Sequence, residues 1–332
     1  MHIRPFSLTS GLLLVAALVA GCSSPGQLGG RVTDNSLRRA AGSPDPTQPL
    51  REAMTFAATF DHGVDADFAL GDAKLYSAPK SSARAKAKAG LPEGDLVKRV
   101  DGAGVHGAAL EFTKKMDPVV FYQGNTNLAV RTNWSGTASF WLKLDPDKDL
   151  APGYCDPLQF VGQTWTNGAM FVEFSKDQTP RHFRYAIMAQ HKLWNPNNLK
   201  WEEMPTPARP MVQVVQPPFS RERWTHVVFT FKYANTGRKD GIGKLYLDGE
   251  LKGSFVGFDN TLVWDPVQNY LNLGLSYVGL MDEIAVFNRD LSASEVQTLH
   301  HLPKGLHNLL YRESGSRLIG ERKWLTKDNH FK

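Results

Sequence analysis

The stretch from Trp224 to Glu295 constrains the fold more than any other. Trp224 to Phe231 sets Val227, Phe229 and Phe231 on one face and His226, Val228 and Thr230 on the other. A repeat of two is the mark of a strand with one face on a core. Lys244 to Leu251 follows, with Asp248 and Gly249 between two apolar runs. Asp-Gly supplies the positive φ angles of a type I′ turn, so a hairpin is predicted here. Gly279 to Arg289 makes a further strand. Ser292 to Glu295 then has the spacing of a capping box opening a short helix.

The same alternation runs upstream. Phe56, Ala58 and Phe60 share one side of a first strand that ends at Asp61, and Val97 to Phe112 reads as two short strands broken at Gly102, Gly104 and Gly107. Ala138, Phe140, Leu142 and Leu144 face one way, opposite Ser139, Trp141 and Lys143, which predicts a central strand with Trp141 and Trp224 as core residues. Residues 171–174 and 183–188 are further strands. His62 to Gly94 and His191 to Pro218 read as long loops. The first of these holds the basic piece Lys80 to Lys88, taken as a solvated excursion. With 332 residues, 42% of them hydrophobic, the chain can bury one sizeable core.

Three pieces carry a resemblance: Trp224-Thr-His-Val, Leu245-Tyr-Leu-Asp-Gly249, and Gly279-Leu-Met-Asp-Glu-Ile284 followed by Asn288-Arg-Asp-Leu-Ser292. Phe60-Asp61 and Thr137 to Leu142 fit the same pattern. Together they resemble the laminin-G-like, concanavalin-A-like jelly-roll superfamily of bacterial exported proteins. The resemblance implies an all-β fold: a two-sheet antiparallel jelly-roll sandwich over residues 53–303, its first and last strands adjacent, with a short C-terminal helix. It decides little about function, since this fold hosts lectins, adhesion modules, glycosidases and structural domains.

The two ends read differently. Arg4 precedes the apolar run Leu12 to Ala20, which is too short to span a bilayer. It ends in Val19-Ala-Gly-Cys22, which resembles the bacterial lipobox, where the cysteine is lipidated after cleavage. An ordinary secretory signal containing a cysteine is the alternative. Residues 1–22 are thus an address, and Ser23 resembles the signal for outer-membrane delivery. Residues 23–52, rich in Ser, Pro, Gly and Arg, read as a tether. The tail 304–332 is basic, with seven Lys or Arg against three acids, and accounts for most of the chain's net charge of +5. With Cys22 lipidated, Cys155 has no partner, so no disulfide frames the fold.

Catalytic signatures are sparse. Glucan-cleaving members of the superfamily carry Glu-x-Asp-x-x-Glu on one strand, aiming carboxylates into one cleft. The nearest string here, Glu93 to Lys98, ends in lysine. Nucleophile elbow, phosphate loop and zinc helix motifs are missing, and His300-His301 reads as a surface pair at a helix end. A non-enzymatic role is expected. Asp282 shares apolar parity with Ile284 and Val286, where a carboxylate needs a partner or an ion. Related domains often hold calcium where first and last strands pair, so Asp61 and Asp282 are candidate calcium ligands, with Asp65 or Asp67 adding to them. The alternative is that both aspartates accept loop amides. Trp165, Trp194, Trp201 and Trp264 lie in loop-like contexts and are candidate stacking platforms for a sugar, against the ordinary fate of burial. The expected function is a lipid-anchored cell-envelope module contacting glycan or protein, with no nucleic-acid partner. A structural envelope scaffold and a divergent glycan-cleaving enzyme are the alternatives.

Overall fold

The computed structural model describes residues 45–162, 168–265 and 267–311. Cys22, Trp165, most of the expected tether and the basic tail past Tyr311 lie outside the described residues. In chain order the first strands are β1 (Met54–Ala58), β2 (Phe68–Ala69), β3 (Leu75–Ala78), β4 (Lys88–Ala89), β5 (Val97–Val100) and β6 (Ala109–Phe112). Then come β7 (Val119–Gln123), β8 (Trp134–Lys143), β9 (Cys155–Val161), β10 (Ala169–Phe174), β11 (Phe183–Met188) and β12 (Met211–Val214). The last are β13 (Thr225–Ala234), β14 (Gly241–Leu247), β15 (Glu250–Phe258), β16 (Tyr270–Leu275) and β17 (Gly279–Phe287). Among the described residues short α-helices accompany them: α1 (Gln48–Ala53), α2 (Pro146–Asp149), α3 (His191–Trp194), α4 (Ala293–His300) and α5 (His307–Leu310).

The strands form two antiparallel sheets. One runs β15-β14-β13-β8-β17-β1-β2, with β6 also on β17 and β5 on β6; the other runs β12-β11-β10-β9-β16-β7-β3-β4. The predicted jelly-roll sandwich is the fold observed, with β1 paired to β17. Alternation explains the core. Ala138, Phe140 and Leu142 of β8 and Val227, Phe229 and Phe231 of β13 meet Leu158, Phe160, Met170, Val172, Phe174 and Tyr185 of the other sheet. The β14–β15 hairpin turns at Asp248 (φ 52) and Gly249 (φ 78), as the Asp-Gly pair requires. Trp134 is the largest fully buried side chain; its ring meets Phe231 at 4.6 Å and its Nε1 donates to the Leu128 carbonyl.

The outer faces of the sheets differ. On the nine-stranded sheet Ala57, Val228, Tyr246 and Ala285 are covered by Leu50 of α1, Val296 and Leu299 of α4, and Leu309 of α5. The predicted capping box forms at Ser292 and Glu295 and starts α4. This helical cover begins inside the stretch read as tether and ends past residue 303, so the folded unit is wider than 53–303. The reason is that Leu50 and Leu309 each find one apolar face, a spacing too short to show as periodicity. The stretch read as a 62–94 loop also contains β2, β3 and β4, while 191–218 contains α3 and β12. On the eight-stranded sheet the outer face carries Phe121, Val161, Ala169, Phe171 and Tyr270, flanked among the described residues by 3-10 turns at Ser81–Lys86 and Trp201–Glu203 and by α3.

Candidate functional site

Two places gather polar groups that the core does not use. The first is a seam in the nine-stranded sheet. Along one edge β17 pairs with β6 through Gly279–Met281 and with β1 through Ile284–Phe287, so the partner changes at Asp282 and Glu283. There the register against β8 slips and Glu283 takes φ 55, a bulge. The bulge corrects the parity read from sequence: Met281 and Ile284 both enter the core, and Asp282 stands opposite Trp141 on the outer side. Backbone amides left without strand partners are taken by carboxylates instead. Ala108 N donates to Asp61 Oδ1 at 2.8 Å, Glu283 N to Asp282 Oδ1 at 2.7 Å, and His106 N to Asp282 Oδ2 at 3.3 Å.

The loop between β5 and β6 fits this seam only with glycine at two points. Gly107 has φ +61, and a Cβ there would lie 1.9 Å from Asp61 Oδ1. At Gly104 a Cβ would stand 2.5 Å from each of the His106 carbonyl, the Ala108 carbonyl and Asp282 Oδ2. Asp61 and Asp282 are thus brought together across one loop, with carbonyl oxygens converging beside them. Burial, with Asp61 as a neighbouring charge, pushes the Asp282 carboxyl up to about 8 against the pull of the His106 and Glu283 amides. Glu283 is pushed well above the carboxylate range by burial and by Asp282; its Oε2 accepts from Leu306 N, while its buried Oε1 has no hydrogen-bond partner. Asp65 is engaged elsewhere, with Lys74 Nζ at 2.7 Å, and Asp67 accepts from Thr59 and His62. Among the described residues no cluster of three or more His, Cys, Asp or Glu is arranged to hold a metal. An ion here would rest on two carboxylates and backbone carbonyls.

Beside the seam, Trp141 stacks on His226 (4.7 Å) and His300 (5.4 Å) on the outer face of the sheet. Trp141 and Trp224 are therefore half-buried rather than core, and His300 is a packing residue rather than a surface one. His226 Nε2 meets Ser139 Oγ at 2.8 Å, yet both are buried, and desolvation drives the imidazole down to about 3. A Ser–His pair closed off in this way is packing, not a nucleophile.

The second place is a cleft on the outer face of the eight-stranded sheet. Two adjoining hollows, about 480 and 530 Å³, share Tyr154, Phe171, Glu173 and Met188 as walls. That is the size range of small-molecule sites. One end is aromatic: Trp194 and Trp201 approach edge to face at 6.3 Å, with Tyr154 standing 47% exposed between the ends. The other end has a polar floor. Asn272 Nδ2 donates to Gln159 Oε1 at 3.1 Å, Gln159 Nε2 donates to Asp156, and Arg84 Nη2 donates to Asn272 Oδ1 at 2.9 Å. Arg184 pairs with Glu173 at 2.7 Å. Burial raises Glu173 to about 6 in spite of Arg184, and burial together with Glu173 lifts Asp156 well above the usual range.

The structure thus places two of the candidate tryptophans, Trp194 and Trp201, on this cleft. Trp264 is elsewhere: it packs on Trp134 at 5.6 Å and its Nε1 donates to the Gly168 carbonyl at 2.8 Å, so it closes the core. Trp165 lies outside the described residues. Sequence reading missed Asp156, Gln159, Glu173, Arg184 and Asn272. A signal existed, since Gln159, Glu173, Arg184 and Asn272 are each one polar residue between two apolar neighbours on a strand, all on the outward parity. The search for paired carboxylates on a single strand passed over a pair on adjacent strands. The solvated reading of Lys80 to Lys88 holds for Lys80, Lys86 and Lys88, which are exposed, and is corrected at Arg84, which turns inward over the Tyr270 ring at 4.3 Å.

The model of the concanavalin A-like lectin/glucanases superfamily matches residues 121–297, from within β7 to within α4. The chain belongs to this superfamily. Among solved structures this superfamily member is similar to domain 4 of AbnA, a GH43 extracellular arabinanase from Geobacillus stearothermophilus, in complex with arabinotriose. The identity is 16%, covering 75% of this chain and 98% of that one, with a TM-score of 0.47. It is also similar to the receptor binding domain of botulinum neurotoxin D (12% identity, 76% and 53% covered, TM-score 0.49). A third is the binding domain of Paraclostridial Mosquitocidal Protein 1 (13%, 76% and 52%, TM-score 0.43). The match spans about half the length of these last two chains. At such identities and scores none of the three lends its ligand to this chain. No curated protein matches the sequence.

Proposed function

We propose that this superfamily member is a non-catalytic binding module that takes a glycan in the cleft of the eight-stranded sheet, held at the cell envelope by a lipid on Cys22. The observation that carries the reading is the cleft itself. It lies on the outer face of the eight-stranded sheet, and joins aromatic walls at Tyr154, Trp194 and Trp201 to a floor of amide and carboxyl groups. Sugar rings present an apolar face and an edge of hydroxyls, and such a site answers both. Glycan-array binding by the purified chain tests it, with Trp194→Ala and Trp201→Ala as controls. Loss of no signal in either variant would place the ligand elsewhere.

Calcium belongs to the same proposal as a structural ion. Asp61, Asp282 and the carbonyls of His106 and Ala108 fit the oxygen donors that calcium takes, and an ion there would offset the charge that Asp61 sets against Asp282. Such an ion would fasten the loop before β6 to β1 and β17.

Asp156 and Glu173 favour a second reading, cleavage of the bound glycan, because two carboxyls with perturbed protonation in one cleft suit acid–base work. Against it, Glu173 is only 7% exposed and held by Arg184, and Asp156 is held by Gln159. Release of reducing ends from any glycan that binds would decide for cleavage.

A further inference from the structure

At the polar end of the cleft stands a cation, Arg84, that no carboxylate among the described residues neutralises. Glu173 is answered by Arg184 across the β10–β11 pair. Asp156 lies against Gln159, and burial beside Glu173 favours its uncharged form. Arg84 reaches the polar end from the Ser81–Lys86 turn. Its guanidinium stands 4.3 Å over Tyr270 and 5.5 Å over Phe121, and donates to the Ser81 carbonyl and to Asn272 Oδ1. Its Nε is buried without a hydrogen-bond partner, and among the described residues no carboxylate pairs with it. Arginine does not shed its proton, so this half-buried group stays charged. A desolvated cation without a counter-ion is costly, and the fold meets that cost only through two ring faces and two neutral acceptors.

We propose that the polar end of the cleft selects an acidic sugar, a uronic or sialic acid residue, whose carboxylate is bound by Arg84. The inference rests on the glycan-binding reading of the cleft and adds its substrate class. Charge and geometry both favour it. Glu173 is already answered by Arg184 and burial favours the uncharged form of Asp156, so at the polar end Arg84 is left to receive a carboxylate. A planar guanidinium held by stacking on one side and by Asn272 on another is pre-oriented for a carboxylate, and little side-chain freedom remains to be lost on binding. Ser81, Ser82 and Gln159 line the same end and suit the hydroxyls of that sugar. Tyr154 leads from there to Trp194 and Trp201, so the rest of the chain would stack as neutral rings do.

The test uses titration calorimetry on the purified full chain. The probes are tetramers of galacturonate and of mannuronate and a sialic-acid-terminated trisaccharide, each beside its carboxyl-reduced form. At least one acidic probe should bind, and should lose tenfold or more in affinity when its carboxyl is reduced. Arg84→Met should weaken the acidic probe by a similar factor, leave the reduced probe unchanged, and keep the wild-type melting temperature within a few degrees. Because the reduced-probe comparison uses the wild-type protein, it stands even if the variant folds poorly. Equal affinity for acidic and reduced forms would overturn the charge selection while leaving a neutral glycan site. Undiminished binding of the acidic probe by Arg84→Met would overturn the assignment to Arg84. Binding of no glycan at all would remove both this inference and the reading beneath it.

Discussion

Asp282→Asn should change how stability depends on pH, in a direction that the seam dictates. In the fold the Asp282 carboxyl is held at about 8, above its ordinary value of 3.8, mainly by burial and further by Asp61. A carboxyl raised in the folded state contributes fully below its unfolded pKa and loses that contribution as pH climbs toward the folded value. Roughly four pH units at about 1.4 kcal/mol each cap the loss at about 6 kcal/mol. The cap is shared, because Glu283 and Asp61 repel the same charge. A difference of about 2 to 4 kcal/mol between pH 5 and pH 8 is therefore the working expectation. Asparagine keeps one acceptor oxygen, enough for the Glu283 amide, but turns an NH2 toward the His106 amide and so gives up that longer bond. It also removes the ionisation, so the variant should show a flatter curve and be the more stable protein at pH 8 in chelator. Calcium reverses the order. An ion that binds only the folded state at a hundred times its dissociation constant adds about 2.7 kcal/mol, so millimolar calcium should raise the wild-type midpoint and leave Asp282→Asn nearly still. Urea unfolding followed by tryptophan fluorescence, at four pH values with and without calcium, gives both numbers. Parallel pH curves for wild type and variant would refute the electrostatic argument. A wild-type midpoint indifferent to calcium would leave Asp61 and Asp282 as caps for loop amides.

Other outcomes follow from the same structure. Trp194→Ala and Trp201→Ala should each cut glycan affinity about tenfold, as loss of one stacking face does, with melting temperatures little changed because both are half-buried at a cleft rim. Arg181, 7% exposed, donates to the carbonyls of Leu150, Ala151, Gly153 and Ser175. Arg181→Met should cost about 3 kcal/mol or more by stranding those acceptors, and should also weaken the ligand, since the same loop carries Tyr154; unchanged calorimetric melting would contradict this. Cys22→Ser should release the chain from membranes in detergent-free fractionation, and an unaltered membrane fraction would put the attachment elsewhere.

Much of the scaffold was legible because a strand that buries one face must alternate. Ala138 to Leu144 and Val227 to Phe231 announce their core sides without ambiguity, and Asp248-Gly249 fixes a hairpin by φ requirement alone. What stayed hidden was set by pairing rather than by pattern. The bulge at Glu283 inverts the parity of Asp282, and nothing local in Gly279 to Phe287 marks where the neighbour changes from β6 to β1. Short edge strands such as β3 and β4 hold too few residues to show a period. The cleft was half legible. Trp194 and Trp201 stood out as loop aromatics, whereas Asp156, Gln159, Glu173 and Asn272 meet only once β9, β10 and β16 are set side by side. Arg84 looked like one more charge in a soluble run because its destination, the Tyr270 ring, lies far along the chain.

The place of β17 in its sheet governs how the chain can be built. β17 lies between β8 on one side and β1 and β6 on the other, yet among the described residues it is the last strand to be made. Until it arrives, each of the three has one edge with no neighbour, and such edges pair readily with other chains. Sandwiches dominated by distant pairings fold slowly in any case. This one cannot finish from its N-terminal end as it emerges. Fragments ending before Gly279 should be the species that aggregate or are degraded, however complete their earlier hairpins.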